Sequence, residues 1–282
     1  MSSFLVLYSL IVPFVICSRY IEEIIFGTLT STEQSYIQTF DHFDKDNHAT
    51  FKQRWFFNDS FWSGPSRLAP IIFQCGGEGR NEGHFYGFLQ EYAQEIGALL
   101  VTSEHRFYGE SKPDVNGNNK FKYLHFQQAM ADYVELLLFL KSSPSESIPF
   151  EACSSCPVIV VGASYSGELA IWLRLEYPDV FDMALGSSAP IYYSSNNYRF
   201  NKIRSASYFQ IVTDAVYKIS PQCVEYVRAA YNALLDAETA EIVQMIPICE
   251  GTYRGLDELL AMLFENWANL AMRKLRNSFC CR

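Results

Sequence analysis

Short apolar runs alternate with stretches of helical periodicity between residues 70 and 186. The apolar runs, which indicate buried strands, are Pro70–Cys75, Gly97–Thr102, Pro157–Val161 and Met183–Gly186. The stretches between them that indicate helices are His84–Ile96, Phe126–Leu140 and Glu168–Tyr177. Strands that alternate with helices form a largely parallel sheet with helices on both faces. The sequence therefore predicts an α/β fold.

Two regions depart from this alternation. In Thr50–Phe57, side chains alternate between two faces, which indicates an early antiparallel strand. Beyond residue 195 the chain carries helical periodicity and no convincing strand, and Val224–Leu235 and Leu256–Ala271 are its clearest packed helices. We therefore expect a helical region after the sheet.

The segment Gly162-Ala-Ser-Tyr-Ser-Gly167 joins a predicted strand to a predicted helix. A nucleophile elbow needs small residues two positions before and after the nucleophile, because the turn is strained and crowded. Gly162 and Ser166 hold those positions around Ser164, although the strict pattern has glycine in place of Ser166. Ser166 is a poorer nucleophile, because Glu168 would then occupy the crowded position. Ser164 is the predicted catalytic nucleophile, and a Gly- and Ser-rich turn without catalysis is the competing interpretation.

A second glycine-rich segment, Gly76-Gly-Glu-Gly79, follows the first of the apolar runs. Hydrolases with a nucleophile elbow bind the reaction's oxyanion with two backbone amides. One amide comes from the loop after an early strand and the other from the residue after the nucleophile. Here those donors would be the Gly77 and Glu78 region and Tyr165. On its own this segment is more typical of an ordinary glycine turn at a strand end.

The N-terminus predicts export. Phe4–Cys17 is an apolar run too short to span a membrane, and it is typical of a signal peptide cleaved at Cys17 or Ser18. A buried N-terminal strand or helix is the alternative. Asn58 begins the only N-glycosylation sequon, which is used on the secretory route. We therefore predict the secretory pathway, with an extracellular or lysosomal (vacuolar) destination.

The chain has eight cysteines, and loss of Cys17 with a signal peptide would leave an odd number. Cys153 and Cys156 have CxxC spacing, but no second CxxC or nearby histidine completes a zinc set, and they precede a strand rather than a helix. We interpret them as structural or as a local disulfide. Cys223 and Cys249 either bond each other or lack their partners.

The charge pattern argues against several classes of protein. The formal net charge is −9, and no block of Lys and Arg stands out, so we expect no nucleic-acid partner. No later stretch reaches 18 apolar residues, so we expect no membrane span. No residue set predicts a metal site.

Several further segments accompany the elbow and the glycine-rich loop. They are Phe51-Lys-Gln-Arg-Trp-Phe56, Glu104-His-Arg-Phe-Tyr-Gly109, Gln128-Ala-Met-Ala-Asp132 and Ser187-Ser-Ala-Pro190. In this order and spacing, the segments resemble the prolyl carboxypeptidase family, which also contains dipeptidyl peptidase II and the thymus-specific serine protease. The resemblance covers about Tyr36 to Met272.

The resemblance implies an α/β-hydrolase domain with a helical insert. It also implies a serine exopeptidase that acts on peptides with proline near the cleaved bond, needs no metal or cofactor, and is often a homodimer. Whether such an enzyme removes one C-terminal residue or an N-terminal dipeptide stays open.

The same resemblance implies a triad in the order Ser, Asp, His, with the last two beyond the helical insert. All five histidines precede Ser164, namely His42, His48, His84, His105 and His125. His105 belongs to a separate motif, and we interpret it as structural. Residues 273–282 do not fit the family pattern. We therefore expect a C-terminally truncated chain, from a mispredicted gene or an alternative transcript, that lacks the last strands of the fold.

The predicted organisation is a signal peptide at 1–18, a hydrolase core at 36–193, a partial helical cap at 194–272 and an unmatched tail at 273–282. A serine without its base is a poor nucleophile, so we expect little peptidase activity from these residues alone. A non-catalytic secreted binding or regulatory protein is the alternative. A third hypothesis is an esterase or lipase with the same elbow, but the Glu104–Gly109 segment argues against it.

Overall fold

The computed structural model describes residues 29–115, 121–144, 147–191, 198–245 and 254–272. For residues 198–206, 243–245 and 269–272 it describes the backbone alone. The predicted signal peptide, the predicted tail and Cys249 lie outside these residues. The chain divides after Ser194 into two compact units. The first unit contains a β-sheet, and the second contains the helices from Tyr198 to Met272.

The sheet of the first unit is mixed. Its described strands are β1 Thr32–Thr39, β2 Thr50–Asn58, β3 Ile71–Cys75, β4 Leu99–Ser103, β5 Val158–Ala163 and β6 Met183–Ser187. Their spatial order is β1-β2-β4-β3-β5-β6. β2 pairs antiparallel with β1 and β4, whereas β4, β3, β5 and β6 run parallel to one another. The predicted parallel sheet with an early antiparallel strand is therefore present.

Helices pack on both faces of this sheet. They are α1 Gly87–Ile96, α2 Phe126–Ser142 and α3 Tyr165–Glu176. Successive side chains of a strand point to opposite faces, so in β3 Phe73 joins a cluster with α2 and α3, whereas Ile72 joins one with α1. The amphipathic helices thereby remove the apolar strand faces from water, which is the main stabilising term of such a core.

The elements described in the second unit are all helices. Its helices are α4 Tyr198–Ile219, α5 Pro221–Asp236, α6 Thr239–Met245 and α7 Leu256–Met272. The side chain of Ser220 accepts a hydrogen bond from the Cys223 amide and caps α5, as serine commonly does at a helix start. Val216 and Trp267 belong to one apolar cluster of this unit. No helix in the described ranges combines the length and hydropathy that crossing a membrane requires.

Three local features bear on the sequence expectations. β1 was not predicted, because most of its side chains are partly or fully exposed and leave no apolar alternation. α3 begins at Tyr165, three residues before the predicted start, because Ser166 and Gly167 in its first turn add no apolar residue to the helical spacing. Cys153 and Cys156 form a disulfide just before β5, in agreement with the local-disulfide interpretation.

Candidate active site

Ser164 occupies the turn between β5 and α3. Its φ of 57° and ψ of −130° are sparsely populated by residues other than glycine, so the turn is strained. The Ser164 amide donates to the Ser187 carbonyl of β6 at 3.0 Å, and the Ser164 carbonyl accepts from the amides of Gly167 and Glu168. The residue is exposed. The structure therefore places the predicted nucleophile on a strand–turn–helix junction, which is the geometry of a nucleophile elbow.

Glycine flanks this turn because the backbones of β5 and α3 are almost in contact. A Cβ atom added to Gly162 would overlap the carbonyl of Ser166. One added to Gly167 would lie 3.1 Å from the carbonyl oxygens of both Gly162 and Ser187. The crowded turn that the sequence pattern around Ser164 predicts is thus present in the folded backbone.

The glycine-rich loop after β3 lies against the first turn of α3. A Cβ atom added to Gly76 would overlap the Ser103 carbonyl at the end of β4, so the loop leaves the sheet close to that strand. At Gly77 an added Cβ would be 3.6 Å from the Ser166 Cβ, which is ordinary van der Waals contact. The loop and the helix that begins at Tyr165 are therefore neighbours. That their amides bind an oxyanion stays a prediction.

A cavity of about 320 Å³ opens beside this loop. Its wall consists of residues 74–82, His84, Tyr86, Ala163 and Ser166. Glu78, one of the predicted oxyanion-loop residues, belongs to this wall and is exposed. In the described ranges, no group of three or more His, Cys, Asp and Glu side chains is arranged to hold a metal ion.

His105 is hydrogen-bonded to Tyr165, the residue after the elbow serine. His105 Nδ1 lies 2.8 Å from the Arg106 carbonyl, and because a carbonyl only accepts, Nδ1 carries the proton. Nε2 then accepts from the Tyr165 hydroxyl at 3.0 Å. Burial lowers the pKa of His105, because it disfavours the charged ring. A neutral, buried imidazole that holds a neighbouring phenol agrees with the structural role expected for His105.

The rings of two other histidines are also engaged away from Ser164. His42 Nε2 lies 2.8 Å from Asp132 Oδ1, and His125 Nδ1 accepts from the Gln127 amide at 3.3 Å. Like His105, neither ring is hydrogen-bonded to the Ser164 hydroxyl. In the described part of the chain, none of these three histidines is therefore placed as its base.

Tyr86, at the start of α1, lines the cavity together with Ala163 and Ser166, and no sequence pattern predicted it there. Burial raises the pKa of Tyr86, although the Ser166 side chain and the Ala163 backbone act in the opposite direction. The one sequence feature that could have pointed to a side chain packed here is Ser166, which stands where the strict elbow pattern has glycine.

Glu104 anchors the loop that follows β4. Its carboxylate accepts hydrogen bonds from the Arg54 guanidinium at 2.9 Å and the Asn81 amide at 3.0 Å. It also accepts from the Ser111 hydroxyl at 2.8 Å. Gly109, with a φ of +52°, passes so close that an added Cβ would overlap this carboxylate. Glu104 therefore joins its own loop to the segment that lines the cavity.

We expect Glu104 to make the protein's stability depend on pH in the acid range. Burial by itself raises the pKa of Glu104, but hydrogen bonds from Arg54, the Asn81 backbone and Ser111 outweigh it and lower the pKa. Its stabilising effect is therefore present above the unfolded-state pKa of about 4.3 and is lost as pH falls through the lower folded-state pKa.

Urea unfolding of Glu104→Gln at several pH values tests this expectation. The free energy of unfolding of the variant should be about 2 kcal/mol lower than the parent's at pH 7, and it should decrease less than the parent's as the pH is lowered. Glu110→Gln, at an exposed carboxylate, is the matched control, and its stability should depend on pH as the parent's does. The same acid dependence in Glu104→Gln as in the parent would contradict the assignment.

Asn58, the predicted glycosylation site, is the last residue of β2 and is buried. Its Nδ2 donates to the Thr30 carbonyl at 2.8 Å, and its Oδ1 accepts from the Ser60 amide at 3.1 Å. A glycan on Nδ2 would have to replace the contact with Thr30. Glycosylation of Asn58 stays a prediction.

The mixed sheet, the helices on its two faces and the turn at Ser164 together fit an α/β-hydrolase fold. Residues 38–271 match the family described as Serine carboxypeptidase S28. The chain therefore belongs to this family of serine peptidases.

Individual relatives agree with this assignment. The chain is 34% identical over 254 residues to the lysosomal Pro-X carboxypeptidase of Homo sapiens, covering 83% of this chain and 47% of that protein. For the Mus musculus protein of the same description the identity is 32% over 253 residues, covering 83% and 48%. For prolyl carboxy peptidase like protein 5 of Caenorhabditis elegans it is 34% over 173 residues, covering 58% and 32%. The chain spans about half the length of the first two relatives.

Proposed function

We propose that this chain provides the nucleophile of a serine exopeptidase that acts on proline-containing peptides. The observation that supports this most strongly is the strained turn at Ser164, between β5 and α3, in a chain of the S28 family. Residues 36–193 would form the hydrolase core, and residues 194–272 would form part of a helical cap.

In the proposed reaction, the Ser164 Oγ attacks the carbonyl carbon of the scissile peptide bond. A new C–O bond forms, and negative charge develops on the former carbonyl oxygen. The Tyr165 amide has no acceptor within α3, because it belongs to the first residue of the helix. The positive end of the helix dipole also favours an anion there. Amides at Gly77 and Glu78 would supply the second donor.

The attack also requires a group that takes the Ser164 proton and later returns it to the leaving amine. All five histidines precede Ser164 in the sequence, and the rings of His42, His105 and His125 are bonded elsewhere. We therefore propose that these 282 residues on their own react slowly, with turnover about 10⁴-fold or more below that of a complete triad enzyme.

The relatives guide the choice of substrate and compartment. The human and mouse proteins are described as Pro-X carboxypeptidases and as lysosomal, so we propose that a C-terminal residue after proline is released. Formation of the Cys153–Cys156 disulfide requires an oxidising compartment such as the secretory pathway. Both observations favour a secreted or lysosomal protein.

A fluorophosphonate probe tests the assignment of Ser164. The purified protein and its Ser164→Ala variant are incubated with the probe, and the modified peptide is identified by mass spectrometry. We expect slow modification confined to Ser164 and none in the variant. Human lysosomal Pro-X carboxypeptidase serves as the complete-enzyme comparator. Modification that persists in Ser164→Ala would contradict the assignment of Ser164 as the nucleophile.

A peptide assay tests the rest of the proposal. A peptide that ends in Pro-Xaa should be cleaved faster than its matched Ala-Xaa peptide, and cleavage should be lost in Ser164→Ala. Reaction as fast as the comparator would contradict the slow-reaction proposal. Equal binding of the Pro-Xaa peptide by the parent and the variant, with no cleavage by either, would support a non-catalytic binding protein instead.

A further inference from the structure

Ser166, which replaces the glycine of the strict elbow pattern, uses its hydroxyl both as a donor and as an acceptor. The hydroxyl donates to the Ala163 carbonyl at 2.7 Å and accepts from the Ala163 amide at 3.0 Å. Tyr86 lines the same cavity as Ser166. A serine hydroxyl offers one donor and two acceptor sites, and only 4% of Ser166 is exposed. The hydroxyl is therefore a fixed part of the elbow.

The position of this hydroxyl follows from the way the sheet ends. β5 pairs with β3 only as far as Val161, opposite Gln74, whereas on its other side β5 pairs with β6 as far as Ala163. The amide and carbonyl of one strand residue point to the same side, and those of the next residue point to the other. The Ser164 amide bonds to β6, so the polar groups of Ala163 face the β3 side.

On that side β3 has already ended and turned into the glycine-rich loop, so it offers Ala163 no ladder partner. An unpaired buried backbone group costs about as much as a lost hydrogen bond. The Ser166 hydroxyl satisfies the Ala163 amide and carbonyl together. Glycine at position 166 would leave both groups without this partner.

Ser166 also faces the glycine-rich loop, because both line the same cavity. A Cβ atom added to Gly77 would lie 3.6 Å from the Ser166 Cβ and 3.9 Å from its Oγ. One side chain in the first turn of α3 is therefore bonded to the end of β5 and faces both the glycine-rich loop and Tyr86. It stands between the strand that carries Ser164 and the loop that would carry the second oxyanion donor.

We propose that Ser166 is a positioning residue that sets the separation between the Ser164 hydroxyl and the backbone amides at Gly77 and Glu78. This inference rests on the proposed function. Without the Ser166 hydroxyl, the Ala163 amide and carbonyl lose their partner, the end of β5 relaxes, and the reacting serine moves relative to the loop amides. Substrate or probe still reaches Ser164, but the developing oxyanion is held less well. The maximum rate falls, whereas the affinity does not.

The inference is tested with Ser166→Ala, Ser166→Gly, Tyr86→Phe and the double variant Ser166→Ala/Tyr86→Phe. Fluorophosphonate labelling gives the saturating rate and the half-saturating concentration of each variant. Amide hydrogen exchange is measured for residues 76–79 and 162–168. We expect the saturating labelling rate of Ser166→Ala to be about tenfold lower, which corresponds to an activation free energy about 1.4 kcal/mol higher. The half-saturating concentration should not change. Exchange should accelerate in both segments.

Further variants separate positioning from simple loss of stability. Ser142→Ala removes a serine hydroxyl that bonds to the Leu138 carbonyl in α2, and should change neither labelling nor exchange in the two segments. The double variant should be slower than Ser166→Ala by less than Tyr86→Phe is slower than the parent, because changes to neighbouring side chains that act on the same position are not additive. If Ser166→Gly does not fold, Ser166→Cys, which keeps the volume but hydrogen-bonds weakly, takes its place.

The outcomes distinguish this inference from the proposed function. Labelling of Ser166→Ala at the parent rate, or exchange that accelerates at 162–168 but not at 76–79, overturns the positioning role and leaves Ser164 as the nucleophile. If the parent protein shows no labelling that depends on Ser164, the proposed function and the catalytic role of Ser166 fail together. The exchange data then still decide whether Ser166 couples the two segments.

Discussion

Replacing Asp132 with alanine is expected to lower the free energy of unfolding by about 3–5 kcal/mol, because it leaves a buried guanidinium without its counter-charge. Arg106 and Asp132 are both 0% exposed. Arg106 Nε donates to Asp132 Oδ2 at 2.7 Å, and its Nη2 donates to Oδ1 at 2.6 Å. Such a two-point pair is among the strongest protein hydrogen-bonding arrangements.

The pair stabilises three parts of the first unit at once. Asp132 lies in α2, and Arg106 lies three residues after the end of β4. Arg106 also donates to the carbonyls of Thr39 and Phe40 at the end of β1. Because His105 is the preceding residue and holds Tyr165, movement of Arg106 should also loosen the residue after Ser164.

Urea unfolding, followed by tryptophan fluorescence and circular dichroism, measures the effect of Asp132→Ala. The control is Glu82→Ala, which removes an exposed partner of Arg80 in the same unit and should cost less than about 1 kcal/mol. A second variant, Arg106→Met/Asp132→Leu, removes both charges and should recover much of the loss. Equal stability of Asp132→Ala and Glu82→Ala would contradict the assignment.

The sequence predicted the buried strands and their helices because continuous apolar runs and helical spacing are local signals. Ile71–Cys75 and Leu99–Ser103 are buried throughout, so their composition identifies them. β1 carries no such signal, because among the described strands it pairs with β2 alone and most of its side chains are partly or fully exposed. Its position depends on pairing with β2, and the β1 segment itself contains no pattern that reports that pairing.

The site shows the same division between local and distant information. The strained turn at Ser164 was predictable because the crowding around it is set by its own neighbours in sequence. Tyr86 and the Arg106–Asp132 pair were not, because their contacts join residues that only the folded sheet brings together. The Asn58 sequon is likewise local, and it did not reveal that the side chain is buried.

Replacing Gly162 with alanine is expected to lower the free energy of unfolding by about 3 kcal/mol or more and to remove the reactivity of Ser164. The added methyl group would overlap the carbonyl of Ser166 and press on the Gly167 amide. These are backbone atoms of the first turn of α3, and they cannot rotate away as a flexible side chain can. Overpacking of this kind commonly costs 1–3 kcal/mol even where side chains absorb it.

Gly79→Ala is the matched control, because no heavy atom lies within 4 Å of the Cβ that it adds. Its free energy of unfolding should stay within about 0.5 kcal/mol of the parent. Urea unfolding of the two variants therefore compares the same methyl group in a crowded turn and in open space. If Gly162→Ala is as stable as Gly79→Ala, the strand and helix around Ser164 are not in close contact, and the elbow geometry is wrong. If it is destabilised but still folded in dilute buffer, loss of fluorophosphonate labelling shows that the reactivity of Ser164 depends on the turn itself.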